Sequence, residues 1–280
     1  MAILYALKSG SSGPQVEMLQ LALKRAGFLE GNIDGIFGPL TQKSVKNFQS
    51  SQNLSADGIV GPNTWRALEP YLTGYITHTV KKGDTFFKLA KDNNTTIRAI
   101  ETANPGVDPM NLRIGSKLIV PLSFNVVPNN IRLTSALMEF IVSGLKARYP
   151  FLTVGLIGRS VMKKPIYYFK VGTGSTQVFY NGAHHANEWI TSVLLLTYLE
   201  NYATSYIKNE VIGGEKARDL YSSATLYMVP LVNPDGVDLV TENLTSGTFY
   251  ENAVKISRAY SQFPFPSGWK ANIRGIDLNL

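Results

Sequence analysis

Apolar residues recur at helical spacing near the start of the chain, at Val16, Leu19, Leu23 and Ala26. The pattern resumes at Val45 and Phe48, with Gln49 beside them. A repeat is interleaved with these stretches: Asp34-Gly-Ile-Phe-Gly-Pro-Leu-Thr41 recurs as Asp57-Gly-Ile-Val-Gly-Pro-Asn-Thr64. Glycine permits left-handed backbone angles and proline is tolerated at the first helical position, so each copy predicts a tight turn feeding a helix. The expectation for residues 1–73 is a small bundle of three helices. After Gly74 the periodicity changes. His78-Thr-Val80 alternates like a short strand, and Gly83-Asp84-Thr85 reads as a turn with a helix cap. Residues 86–91 and 96–103 read as helices, and Lys117–Pro121 as a closing strand. Residues 123–131 read as a linker. Beyond it, Thr134 caps a predicted helix through Arg148, with Leu137, Ile141 and Leu145 on one stripe. Strands are expected at 153–158, 166–171, 177–181 and 225–231, with a long helix over 188–202 and a helical piece at 214–222. Strands alternating with helices predict an α/β domain with a buried mixed sheet. The fold class is thus multidomain, α followed by α/β.

Composition narrows the partners. The 280 residues are 44% hydrophobic and 17% charged, which describes a folded chain long enough for two or three domains. There is no cysteine, so disulfides and thiolate metal sites are excluded. The net charge of +7 is spread along the chain without a dense basic tract, which argues against nucleic acid. A mild positive bias suits an anionic polymer. No apolar run approaches membrane-spanning length, and the first residues lack the basic and apolar regions of a Sec signal. Synthesis as a soluble cytoplasmic protein is the expectation.

The candidate chemistry lies in Ala183-His-His-Ala-Asn-Glu-Trp189, just after the apolar run Val178-Phe179-Tyr180. His185 and Glu188 are three residues apart, a spacing that lets an imidazole and a carboxylate converge on one ion. Neutral histidine and ionised glutamate suit Zn²⁺. The one histidine outside this segment, His78, reads as a strand surface residue.

Three resemblances follow from the motifs. Gly13-Pro14-Gln15-Val16, Leu19-Gln20, Val45-x-x-Phe48-Gln49, the two D-G-I-x-G repeats and Thr64-Trp65-x-x-Leu68 resemble a peptidoglycan-binding domain. Val80-x-x-Gly83-Asp84-Thr85, Leu89-Ala90, Asn104-Pro105, Leu112-x-x-Gly115 and Leu118-x-Val120-Pro121, over 75–122, resemble a LysM domain. That resemblance implies binding of N-acetylglucosamine polymers through Gly83, Asp84, Thr85, Asn104 and Pro105, with Phe87 standing where small or polar residues are common. Over 132–280, the segments Ile157-Gly158-x-Ser160, His185-x-x-Glu188-Trp189, Asn233-Pro-Asp-Gly236 and Trp269-Lys270-x-Asn272-x-Arg274-Gly275-x-Asp277-Leu-Asn279 resemble the amino-terminal half of the zinc carboxypeptidase domain. This implies one zinc ion on His185 and Glu188, Arg274 stabilising the oxyanion, and Asn279 contacting substrate. His184 reads as a packing or supporting residue, and Asn233-Pro-Asp-Gly236 as a strand-terminating turn.

Two departures from the family pattern shape the expectation. Leu280 stands where ordinary carboxypeptidases carry an arginine for the substrate's terminal carboxylate, which points away from C-terminal trimming. The variant resembles γ-D-glutamyl–diamino acid endopeptidases that act on bacterial wall peptides. No histidine follows His185, so the third ligand and the general-base glutamate of the family are missing from these residues. The expectation is a truncated catalytic domain of little activity, with strand edges left uncovered. A non-catalytic wall-binding protein is the alternative, and a third reading has a separate polypeptide completing the site. By resemblance, a role in sporulating cells at the cell or spore wall is implied.

Overall fold

The computed structural model describes residues 4–279. Helices α1 (Pro14–Arg25), α2 (Pro39–Ser51) and α3 (Pro62–Thr73) open the chain. Each starts on a Gly-Pro step, where the N–H that proline lacks would have had no helical partner. The two repeats are built alike. Gly35 and Gly58 take left-handed angles, φ 71° and 76°. A buried glutamine on the preceding helix then reads each turn. Gln20 donates to Asp34 Oδ1, the Ile36 carbonyl and Thr41 Oγ1, and accepts from the N–H groups of Asp34 and Gly35. Gln49 donates to Asp57 Oδ1, the Ile59 carbonyl and Thr64 Oγ1, and accepts from Gly58 N–H. Asp34 and Asp57 are thereby held below the usual carboxylate range. The Gln20 side chain is the main cause for Asp34, and the Ile59 N–H for Asp57.

Gly74 ends α3 in a left-handed cap and leads straight into β1 (Tyr75–Thr79). Helices α4 (Phe86–Asp92) and α5 (Ile97–Ala103) follow, capped by Thr85 and Thr96, before β2 (Lys117–Pro121) closes an antiparallel pair on β1. This unit has a core of its own, centred on Val80, Phe86, Leu89, Ile100, Leu118 and Val120.

The third region begins at α6 (Ser135–Arg148), with Thr134 accepting from Leu137 N–H as its cap. Strands β3 (Thr153–Arg159), β4 (Pro165–Gly172) and β5 (Thr176–Asn181) precede the long α7 (Trp189–Lys208). A short hairpin of β6 (Val211–Ile212) and β7 (Glu215–Lys216) leads to α8 (Ala217–Ser223) and β8 (Ala224–Val229). Helices α9 (Pro234–Val240) and α10 (Thr248–Ser257) follow, the latter running into a 3₁₀ turn over Arg258–Tyr260. The sheet order is β3-β4-β8-β5, with β5 parallel to β8 and the other pairs antiparallel. This is the mixed α/β sheet the alternation of elements predicts. Neither α9 nor α10 was expected. Asparagine and proline favour both turns and helix starts, and here Asn233 accepts from Gly236 N–H as the α9 cap.

The bundle and the α/β region share one continuous core, from Val16, Phe48 and Leu68 through Ile141 and Leu145 to Phe169 and Leu196. The stretch 123–131 runs through this junction, with Val126, Val127 and Ile131 buried. Glu200 on α7 clamps it by accepting from the N–H groups of Val126 and Val127 at 2.7 and 2.9 Å. Burial pushes the Glu200 carboxyl up, against those two N–H groups and the charges of Arg148 and Arg25. Arg25, from α1, donates to the carbonyls of Tyr71, Asn125 and Val126, and burial pulls its guanidinium down to about 10. Arg132 pairs with Glu17 on α1 and with Glu242. At the far side of the sheet β5 is an edge strand on which Phe179 and Tyr180 are more than half exposed.

Candidate metal centre

The H-x-x-E segment sits on the turn between β5 and α7. Residues Ala186–Glu188 form a single 3₁₀ turn whose cap is His185. With three residues per turn, i and i+3 eclipse, and His185 Nδ1 and Glu188 Oε1 stand 2.9 Å apart. Two donors each about 2.0–2.2 Å from one tetrahedral zinc lie roughly 3.3 Å from one another. The nitrogen–oxygen pair is therefore a chemical and dimensional fit for two zinc ligands. The other face of the imidazole is engaged too: His185 Nε2 lies 3.4 Å from Asp277 Oδ1. A carboxylate on the second ring nitrogen fixes tautomer and ring orientation in metal-binding histidines. Among the described residues no group of three His, Asp or Glu converges as a metal cage.

Backbone and buried amides hold this turn in place. Ala183 adopts φ 52°, uncommon for a residue with a Cβ. Its N–H donates to Thr191 Oγ1, and its carbonyl accepts from Asn233 N–H. The Asn233 side chain donates to the carbonyls of His184 and Ala271, both at 3.1 Å, and so ties the metal-pair turn to the 269–277 loop. A second tie runs from Ala186 N–H to the Lys270 carbonyl at 2.8 Å. Gly236 leaves room for this junction: a Cβ there would meet Asn233 Nδ2 at 2.7 Å and Ala186 Cβ and the Ala271 carbonyl at 2.8 Å. Beneath lies a small core of Ala186, Leu239, Ala253, Trp269 and Ile273. Asp235 of the same motif is buried, accepting from Ser160 Oγ and Met162 N–H and pairing with Lys164. The Ser160 and Asp235 motif residues thus meet as a structural bond.

The other expected residues fall in distinct places. Arg274 is exposed; its N–H donates to Asn272 Oδ1, and its guanidinium has no partner among the described residues. Asn279 is exposed, with its N–H on Asp277 Oδ1. Leu280 lies outside the described residues. His184 hydrogen-bonds Asn181 through Nε2, while its Nδ1 is buried without a partner. In the β1–β2 unit, Gly83 takes φ 86°. Asp84 accepts from Lys81 N–H and hydrogen-bonds His78 Nε2 at 2.7 Å, which is the first cause of its lowered pKa. His78 is thus a partner of the turn rather than a bare surface residue. Thr85 is spent on its cap, and Asn104 is buried, bonded to Ile100 and to both backbone groups of Ile119. Pro105 and Phe87 face solvent, as do Met110 and Ile114 on the same unit's later loop. Sequence reasoning did not select Asp277, Asn233 or Lys270 as site residues. Asp277 and Asn233 stood within quoted motifs, but their roles rest on contacts 92 and 49 residues away along the chain.

Comparison with known proteins matches three family models in order. Residues 12–68 match a peptidoglycan binding domain, 78–121 a LysM domain, and 138–279 the zinc carboxypeptidase family. Gamma-D-glutamyl-L-diamino acid endopeptidase 1 of Lysinibacillus sphaericus is 37% identical over 158 residues, 56% of this chain and 39% of that protein. The spore cortex-lytic enzyme of Bacillus subtilis (strain 168) is 35% identical over 89 residues, 30% of this chain and 29% of that protein. Among solved structures, thrombin activatable fibrinolysis inhibitor aligns over 71% of this chain and 54% of its own, at 16% identity and a TM-score of 0.39. The chain spans less than two fifths of the length of these two curated relatives.

Proposed function

The chain belongs to the zinc carboxypeptidase family, and we propose that it acts on bacterial wall as the binding and metal-loop portion of a peptidoglycan-hydrolysing metallopeptidase. The bond addressed is that between γ-D-glutamate and a diamino acid. The observation that carries this reading is the His185–Glu188 pair, 2.9 Å apart on a turn braced by Asn233, in a chain whose two preceding segments match wall-binding families. His185 and Glu188 would hold the zinc, and Asp277 would orient the imidazole from its other nitrogen. Zinc bound there would polarise the scissile carbonyl and acidify a water. Arg274, exposed and with a guanidinium unpaired among the described residues, is the cation proposed to face the developing oxyanion, and Asn279 the residue proposed to touch substrate. In the LysM unit, Gly83, Asp84, Thr85, Asn104 and Pro105 are proposed to present glycan through loop shape and backbone, since the side chains of Asp84, Thr85 and Asn104 are bonded internally. Similarity to spore cortex-lytic enzymes supports a site of action at the cell or spore wall.

The 280-residue polypeptide is expected to sediment with purified sacculi, to hold zinc weakly, and to turn over a γ-D-Glu–diaminopimelate peptide slowly if at all. Failure to sediment would sink the wall-binding reading. A second reading, a wall-binding protein without catalysis, draws on the lack of a three-ligand group among the described residues. Zinc-dependent cleavage lost in both His185→Ala and Glu188→Ala decides for the peptidase. The third reading, completion by a separate polypeptide, requires cleavage to appear only on mixing.

A further inference from the structure

Beside the metal-pair turn lies a cavity of about 460 Å³, within the size range of small-ligand pockets. Tyr260, Phe263, Phe265 and Trp269 contribute aromatic walls, and its two charged lining residues are Lys270 and Asp277. Asp277 is turned to His185. The Lys270 ammonium has no hydrogen bond or ion pair among the described residues, yet its backbone is pinned beside His185 by the bond from Ala186 N–H. Arg274, the cation that the sequence points to, does not line the cavity.

We propose that this cavity is the subsite for the D-glutamyl residue, with Lys270 as the cation that pairs with its free α-carboxylate. The inference rests on the γ-D-glutamyl reading given above and adds the residue that would select for it. A γ-linked glutamyl unit differs from an ordinary α-linked peptide in one charged group. Its α-carboxylate remains free, three carbons from the scissile carbonyl. An enzyme for this bond must leave that charge in water or meet it with a cation. Lys270 supplies a cation whose backbone is tied to the turn that carries His185, and among the described residues no carboxylate pairs with it. The aromatic walls displace water around the pair, which strengthens its attraction relative to one in open solvent. A lysine ammonium can serve here as a compact point charge with three rotatable donors, any of which can reach a carboxylate oxygen.

The test uses the full 280-residue protein and two peptides, L-Ala-γ-D-Glu-diaminopimelate and its α-amidated counterpart containing D-isoglutamine. Calorimetric titration is expected to show about tenfold tighter binding of the free acid, the scale of one charge-assisted contact. Lys270→Met should erase that preference and Lys270→Arg should keep it, while sedimentation with sacculi stays the same in all three. Equal binding of the two peptides by wild type, or a preference that survives in K270M, overturns the assignment while leaving the peptidase reading intact. If neither peptide binds although sacculi still sediment the protein, the peptidase reading fails and this inference fails with it.

Discussion

The repeated turns of the helical bundle and the turn at His185 both depend on a buried amide, but they treat their polar atoms differently. Around Gln20 and Gln49 the side-chain amide is spent inside the turn, on an Asp, a Thr and backbone groups, in two copies with the same three donated bonds. Around His185, Asn233 does the same for the backbone, while His184 Nδ1 and Asn187 Oδ1 are left buried without partners and the Glu188 side chain is nearly half exposed. A turn whose polar groups are all satisfied is stable and chemically quiet. One that leaves buried polar atoms unpaired and a carboxylate half exposed gives up stability for the capacity to bind an ion or a substrate.

The largest effect is expected from Gly236→Ala. Its Cβ would push against Asn233, Ala186 and the Ala271 carbonyl at once, for a loss of about 3 kcal/mol in denaturant unfolding. A loss under about 1 kcal/mol would mean that the two loops are not rigidly joined. Gln49→Ala strands the buried groups of its turn and should cost about 2–3 kcal/mol. Gln20→Ala should match it within about 0.5 kcal/mol if the repeats are energetically as well as geometrically equivalent.

Titration separates the regions next. Asp34 and Asp57 have lowered folded-state pKa values, so their contribution is complete above their unfolded value, about 4, and is lost as pH falls through the folded one. Melting temperature should therefore drop with acidification below about pH 4, and the drop should flatten in an Asp34→Asn, Asp57→Asn double variant. An unchanged profile would place acid sensitivity elsewhere. The smallest effect is expected in the candidate site itself. Asn187→Leu removes an unpaired buried oxygen and should change stability by less than about 0.5 kcal/mol. A large loss would reveal that the oxygen has a partner after all.

Much of the fold was legible because short-range chemistry dictates it. Gly-Pro steps start α1, α2 and α3, and Thr85, Thr96 and Thr134 cap the helices they precede. The mixed sheet follows from alternating strands and helices. Helix α9 was missed because its cap and first proline are also turn formers, and only burial of Asp235 and Val237 against neighbouring segments selects the helix. The stretch 123–131 looks like a linker because it lacks periodicity. Its order comes from Glu200 and Arg25, which are distant in sequence.

The order of the three regions, the residue types of the candidate zinc pair and the turn that brings that pair together are all written in the sequence. These are local matters of spacing, capping and backbone freedom. Long-range packing is what brings Asp277 to His185, has Asn233 join two loops, and lines a cavity with Lys270 and not with Arg274. Those relations connect residues tens of positions apart. They exist because the shared core and the small cluster under Ala186 hold the loops in register, which no local pattern encodes.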